Sequence, residues 1–431
     1  MLATIRQSTT TRQTMRGGGA VARMLTLTFA VAALSLLPGT TYAAKTKIIH
    51  SFAGDDGRWP SGGLIMGPDG VLYGTTRVGG ANDKGTVYSL TPSETGARWK
   101  HNVLHDFDGT DGSEPFSDLA RGQDGTLYGT TSAGAQANGT VFALMPPTTG
   151  SKWKLQTLHV FTGSATDGGI PFAGVVRGPD GSLFGTTIAG GTASQGTAYM
   201  LSPPTRGNNW QFRLLTSFVS GTDGGQPFGM LTLDSQGSLF GTTTRGGTVD
   251  CDCGTVFMLV PPQTGNHWHK AILHRFVGHP DGSNPYSQLV IDQAGALLGS
   301  TYLGGTLDHG TVFRLSPPAP PRAKWSITNL TSFDRANGYG PLFYGPLVVD
   351  DGGAIYGTTQ NSTASETGGT VFRLTPVNSK RWRQTSLHTF GATPDGFTPD
   401  AAVTRDTQGR LFGTTVLGGT QGLGAVFVVT P

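Results

Sequence analysis

The chain has 431 residues, with 67 Gly, 26 Pro, only 13% charged side chains and a formal net charge of +3. Arg6, Arg12, Arg16 and Arg23 precede residue 44 and no acid does, so the remainder carries 26 basic against 27 acidic side chains. Near-neutral and without a Lys/Arg run, that remainder is a poor match for nucleic acid or an acidic membrane surface, and its Gly, Pro, Thr, Val and aromatic content points to short strands and many turns with little helix.

In chain order, Arg16 and Arg23 lead into an apolar run at 24–37 (MLTLTFAVAALSLL), then Pro38, Gly39 and the small-residue pattern Thr41-Tyr42-Ala43. The run is short for a membrane span and is read as a secretory signal over residues 1–43, with Met15 an alternative start. No Cys follows the run to carry a lipid. The expected product is an exported monomer, extracellular or periplasmic, with no membrane insertion once the signal is removed.

A lone strand-like segment follows at 47–52 (KIIHSF), and then one phrase is written seven times, centred on Tyr73, Tyr128, Phe184, Phe240, Leu298, Tyr356 and Phe412, at intervals of 55 to 58 residues. The full unit reads D/N-G-x-x-P, a short apolar stretch, a D-G type turn, L-Y-G-T-T, a Gly-rich loop, G-T-V-F-x-L, a Pro-rich turn and W-x5-H-x-F. Each stretch alternates like a strand between turn residues; in the second copy the predicted strands are 115–121, 126–132, 139–145 and 152–161. Four strands in a repeat of this length predict an all-β, seven-bladed β-propeller over residues 44–431.

The fourth strand carries Trp99, Trp153, Trp210, Trp268, Trp325 and Trp382, each eight residues before a Phe, with His105, His159, His274 and His388 six after their Trp. An unbroken strand would put Trp, His and Phe on one face and Leu104, Leu158, Leu273 and Leu387 on the other. The Gly of L-Y-G-T-T is expected to admit a ring from a neighbouring blade. The chain finishes on a third-type strand, so segment 47–52 is expected to complete the seventh blade and close the ring, removing open sheet edges.

These strings resemble the GloVer (Gloeo/Verruco) tandem-repeat family of secreted bacterial proteins, whose hallmark is Y-G-T-T, G-G, G-T-V-F; the resemblance runs from about Lys47 to Pro431. It implies a repetitive extracellular protein and carries no general enzymatic activity. A fainter similarity to kelch repeats, in Gly79-Gly80, Val87-Tyr88, Pro92 and Trp99, favours the propeller without importing kelch function.

The D/N-G-x-x-P turns and the Gly-rich loops are expected on one face, the default binding region. Asp56, Asp111, Asp167, Asp223, Asp281, Asn337 and Asp395 recur in every copy, which favours a turn role for the carboxylates over a cation or sugar site. The varied Gly-rich loops supply the candidate ligand-binding residues: Arg77, Asp83, Lys84, Arg245, Asp250, Asp252, Tyr302, Asp308 and His309, with Asn361 beside them. Cys251 and Cys253 are expected as a disulfide first, free thiols second and metal ligands third. The strand-four His residues are expected to stand apart as structural groups, and no cofactor or metal site is predicted. No nucleophile elbow, zincin helix, phosphate loop or dinucleotide fingerprint occurs. The leading expectation is therefore a binding or structural module at or outside the bacterial envelope, with glycans or envelope proteins as partners. A polysaccharide lyase or hydrolase and a protein-docking platform are the alternatives.

Overall fold

The computed structural model describes residues 44–431 except 95, 97, 135, 136, 249, 320–323, 336, 337, 342–344, 362–367, 379, 380, 392 and 393; the predicted signal segment lies outside the described residues. Seven antiparallel blades of four strands build a β-propeller. The second blade is typical, with Ala120–Arg121, Leu127–Thr131, Thr140–Met145 and Lys154–Val160 in order from the axis outward. A 3-10 turn, Gly221–Asp223, is the helical element with described bounds. The predicted ring closure is present: Lys45–Ser51 pairs with Ala425–Thr430 as the outer strand of the seventh blade.

The innermost strand is shorter than its hydrophobic pattern predicts, because the segment before it is tied sideways. The first Thr of the repeat donates to a carbonyl in the next blade's inner segment: Thr75 to Ser117, Thr130 to Ala173, Thr358 to Ala401 and, across the closure, Thr414 to Gly62. A carbonyl bonded to a neighbouring blade does not need its own sheet, so the ladder starts only at residues such as Ala120.

The second Thr binds within the blade. Its hydroxyl meets the Thr of G-T-V-F on the paired strand at 2.7–2.9 Å in six blades, from Thr76 with Thr86 to Thr359 with Thr370. In the seventh blade the partner position holds Ala425, and the Thr415 hydroxyl is buried without a hydrogen bond. The Gly of the phrase admits a ring, but from its own blade: Gly129 is paired with Phe142, whose Cζ lies 2.6 Å from where a Cβ on Gly129 would stand. The expected neighbouring-blade ring is thus replaced by the cross-strand partner, which folds over the gap directly opposite.

Every outer strand contains a β-bulge, and it overturns the single-face expectation. In the second blade Val141 pairs with His159 but Phe142 pairs with Thr157, leaving Leu158 as the extra residue; the same shift occurs at the matching place in all seven blades. One extra residue reverses the side-chain alternation. Trp153 therefore packs on Tyr73 of the first blade, whereas His159 and Phe161 face Phe212 and Tyr199 of the third, and Leu158 joins that same core. The fully buried Phe meets the third-strand ring of the next blade edge-on at all seven seams, with centroids 5.0–5.3 Å apart.

Replacing Ala425 by Thr supplies the missing cross-strand partner of Thr415. A buried hydroxyl pair contributes about 1 kcal/mol, so A425T is expected to raise the midpoint of urea unfolding without changing its slope. A lowered midpoint would show that the seventh blade cannot hold the pair the other six contain.

Candidate binding site at the channel mouth

The two loop sets do share a face. Single backbone bridges join the D/N-G-x-x-P loop to the Gly-rich loop of the same blade, as at Arg58 with Val78, Ser113 with Ala133 and Ser283 with Leu303. The residue before Pro takes a left-handed backbone (Trp59, Glu114, Ile170, Gln226, Asn284 and Thr398), and its N–H bonds to the Gly-rich loop of the preceding blade, as Glu114 does to Lys84.

The residue after that Pro projects at the axis, where consecutive blades come close enough for their side chains to touch. Phe116, Phe172, Phe228 and Tyr286, from blades two to five, form an unbroken arc with centroids 4.9, 5.3 and 5.2 Å apart, and Tyr302 continues it at 5.9 Å. Phe116 is buried; the other four rings are half-exposed. The seventh blade places Asp400 at this position. The Tyr302 hydroxyl donates to Gln360 at 2.8 Å, and the Gln360 amide donates to Asp400 at 2.9 Å, so the arc ends in a polar chain. At the other end the Arg77 guanidinium lies over Phe116 at 4.8 Å and pairs with Glu114.

Burial drives the Asp400 carboxyl up to about 6, against the opposing pull of the Gln360 bond. Deeper in the channel, a cavity of about 370 Å³ is lined by Gly63, Asp118, Met230, Gln288, Pro346 and Ala402, one from each of six blades. Asp118 is the charged group there. Burial raises it to about 6, although the Gly63 N–H donates to its carboxylate.

The sequence-predicted residues do not gather into one cluster. Arg77 and Tyr302 join opposite ends of the aromatic arc. Asp83, Asp252 and Asp308 each accept the N–H of a loop glycine (Gly79, Gly246 and Gly304), and Asp83 and Asp252 also pair with Arg58 and Arg245. His309 stands 5.4 Å from Tyr339, while Lys84 and Asp250 are exposed and Asn361 is half-exposed. The rings at the mouth were missed because each one reads as strand hydrophobicity. The available signal was an aromatic directly after Pro in four consecutive copies, followed by Leu342 in the sixth copy and Asp400 in the seventh.

The recurrent Asp residues serve the turn, as expected. Asp56, Asp111, Asp167, Asp223 and Asp281 accept N–H groups three to five residues back, and Asp56, Asp111, Asp167, Asp281 and Asp395 also hold the outer-strand His at 2.7–3.0 Å. Where Thr216 replaces that His, Asp223 takes Lys270 of the next blade at 2.6 Å instead. Asn337 lies outside the described residues. At the closure, His50 and His101 from adjacent blades stack at 4.2 Å and nearly parallel beside Asp56. Neighbouring outer strands can therefore bring imidazoles together at this seam, although neither ring is among His105, His159, His274 and His388, the four expected to stand apart. The parallel stack prevents one ion from lying in both ring planes.

Cys251 and Cys253 have Cα atoms 5.1 Å apart and their sulfurs joined. Denatured and unreduced material is therefore expected to contain no titratable thiol, and two thiols per chain would refute the pair.

Burial shifts the Asp118 carboxyl upward on folding. Its folded-state value lies above the ordinary 3.8, so the folded chain holds the proton more tightly, and stability is lost as pH rises through about 6. Asp118→Asn keeps an acceptor for Gly63 without the charge. The variant is expected to unfold at higher temperature than the parent at pH 8, by an amount equivalent to roughly 1–3 kcal/mol, and to differ little at pH 4. An equal difference at both pH values would remove the buried charge as the cause.

A profile of the Gloeobacter/Verrucomicrobia repeat matches residues 35–257, 147–320 and 250–431. No curated protein matches the chain. Among solved structures, it is similar to PorZ, an essential bacterial surface component of the type-IX secretion system of Porphyromonas gingivalis, with a TM-score of 0.52 and 14% identity over 89% of this chain and 47% of that one. The chain thus spans about half the length of PorZ. It is also similar to a polysaccharide lyase, an ulvan lyase solved with a saccharide bound, with a TM-score of 0.50 and 9% identity over 87% of this chain and 94% of that one. At these identities the likeness shows the fold alone. Among the described residues no helix is long and apolar enough to cross a membrane.

Proposed function

The chain belongs to the Gloeobacter/Verrucomicrobia repeat family, and from that premise we propose that it is an exported binding module that takes a carbohydrate at the channel mouth. The observation that carries this reading is the arc of Phe172, Phe228, Tyr286 and Tyr302, half-exposed and ending in the Tyr302, Gln360 and Asp400 chain. Sugars present apolar C–H faces and a rim of hydroxyls. Aromatic rings match the first and an amide–carboxylate chain the second. Export rests on the leader-like residues 1–43 and agrees with a surface protein among the structural neighbours.

Binding is placed before catalysis for a chemical reason. Glycoside hydrolysis by the common route needs two carboxyl groups flanking one bond. Along the arc the two carboxyl groups, Asp400 and Glu114, stand at opposite ends, and Arg77 holds Glu114. The Asp400 carboxyl could act as an acid, but the nearby Tyr302 hydroxyl is shifted upward by burial, the wrong direction for a base.

An array of plant and bacterial glycans is the test. A retained glycan should lose affinity when Phe172 and Phe228 are both replaced by Ala, at about 1 kcal/mol per ring, and product analysis on that glycan should show no cleavage. An array without a hit, or a hit indifferent to both rings, would end the carbohydrate reading and turn the search to envelope proteins.

A further inference from the structure

On the face opposite the loops, five seams share one packing motif. The outer-strand Trp of each blade meets the strand-two ring of the blade before it: Trp99 on Phe412, Trp153 on Tyr73, Trp210 on Tyr128, Trp268 on Phe184 and Trp325 on Phe240, at 5.6–6.4 Å. At the seam between blades five and six the ring is missing. Trp382 packs against Leu298, because the fifth copy of the repeat reads L-L-G-S-T. A cavity of about 580 Å³ lies there, with Leu298, Val290, Ile355 and the Trp382 indole among its walls.

The rim of this cavity is acidic. Asp292, Asp350 and Asp351 line it, with one cation, Arg314, already paired to Asp292 at 2.8 Å. Asp292 and Asp350 occupy a turn position that is Asp in blades four to seven and Gly in blades one to three, whereas Asp351 is a second carboxylate that only the sixth blade adds. Asp350 is held by Tyr356 and by backbone N–H groups; Asp351 is exposed. Clefts at other seams keep their ring and are basic: Lys152 lines the one at Trp153, and Lys45, Lys47 and Arg410 line the one at Trp99. The fifth seam therefore combines an unfilled apolar floor, an indole and an excess of two negative charges.

We propose that this cavity is a binding site for a small cationic amphiphile, an ammonium group on an apolar body. The body takes the space that a Phe or Tyr ring fills at the other seams. The ammonium stands at the rim between Asp350, Asp351 and the indole, where carboxylates and the π-face both favour a cation. The site is separate from the channel mouth and does not depend on the carbohydrate reading.

Titration calorimetry with n-hexylammonium, 1-hexanol and hexanoate tests the proposal on the purified protein. The amine is expected to bind at one site at least tenfold more tightly than the alcohol, and hexanoate more weakly than either. Leu298→Phe restores the residue type of the other six blades; it should fold, melt no lower than the parent and weaken the amine at least tenfold. Asp351→Asn should reduce the preference of amine over alcohol while leaving alcohol binding in place, and it decides the matter if Leu298→Phe fails to fold. Equal affinities for amine and alcohol, an unchanged amine affinity in folded Leu298→Phe, or an unchanged preference in Asp351→Asn would overturn the assignment.

Discussion

The propeller depends on one contact made seven times: a fully buried Phe at the end of each outer strand, set edge-on against the third-strand ring of the next blade. The contact exists because a bulge turns the strand over just before the Phe. Without the extra residue, that side chain would follow Trp toward the preceding blade. With it, each of the six outer strands that carry Trp holds both neighbours, Trp on one side and Phe on the other. Phe52 makes the contact from the N-terminal strand to Tyr88 of the first blade, so ring closure repeats the interaction used everywhere else.

Around that contact, the repeated phrase divides its tasks by atom. In L-Y-G-T-T the Gly leaves room for the cross-strand ring, the first Thr reaches the next blade and the second Thr pairs within its own. Three different directions of bonding from five residues explain why the phrase varies so little between copies. Where it does vary, the structure shows a consequence. Ala425 leaves the Thr415 hydroxyl unpaired, and Leu298 leaves Trp382 without a ring. The outer-strand pairing follows the same logic, since where Thr216 stands in place of the His, Asp223 takes Lys270 instead.

The candidate site at the mouth is built from positions that escape this constraint. The residue after the inner Pro precedes the first ladder pair of its blade and meets its counterparts around the axis, so it is free to be Ser61, Phe116, Phe172, Phe228, Tyr286 or Asp400 without disturbing a sheet. That freedom divides the mouth into an aromatic side and a polar side. Several loop residues that looked adaptable are instead committed to the loop. Asp83, Asp252 and Asp308 bond glycine N–H groups that would otherwise lack a partner.

Sequence alone determined the blade count, the order of strands, the closure by the N-terminal segment and the turn role of the recurrent Asp, because each follows from local periodicity and turn chemistry written seven times. Only the tertiary structure decided which way the side chains face. A bulge leaves the composition and spacing of W-x5-H-x-F untouched while reversing its alternation, and it is defined by pairing with another strand. The aromatic arc, the Tyr302 to Asp400 chain and the acidic cavity at Trp382 were hidden for a related reason. Their members are one blade apart, about one repeat length in sequence, and become neighbours only when the ring closes.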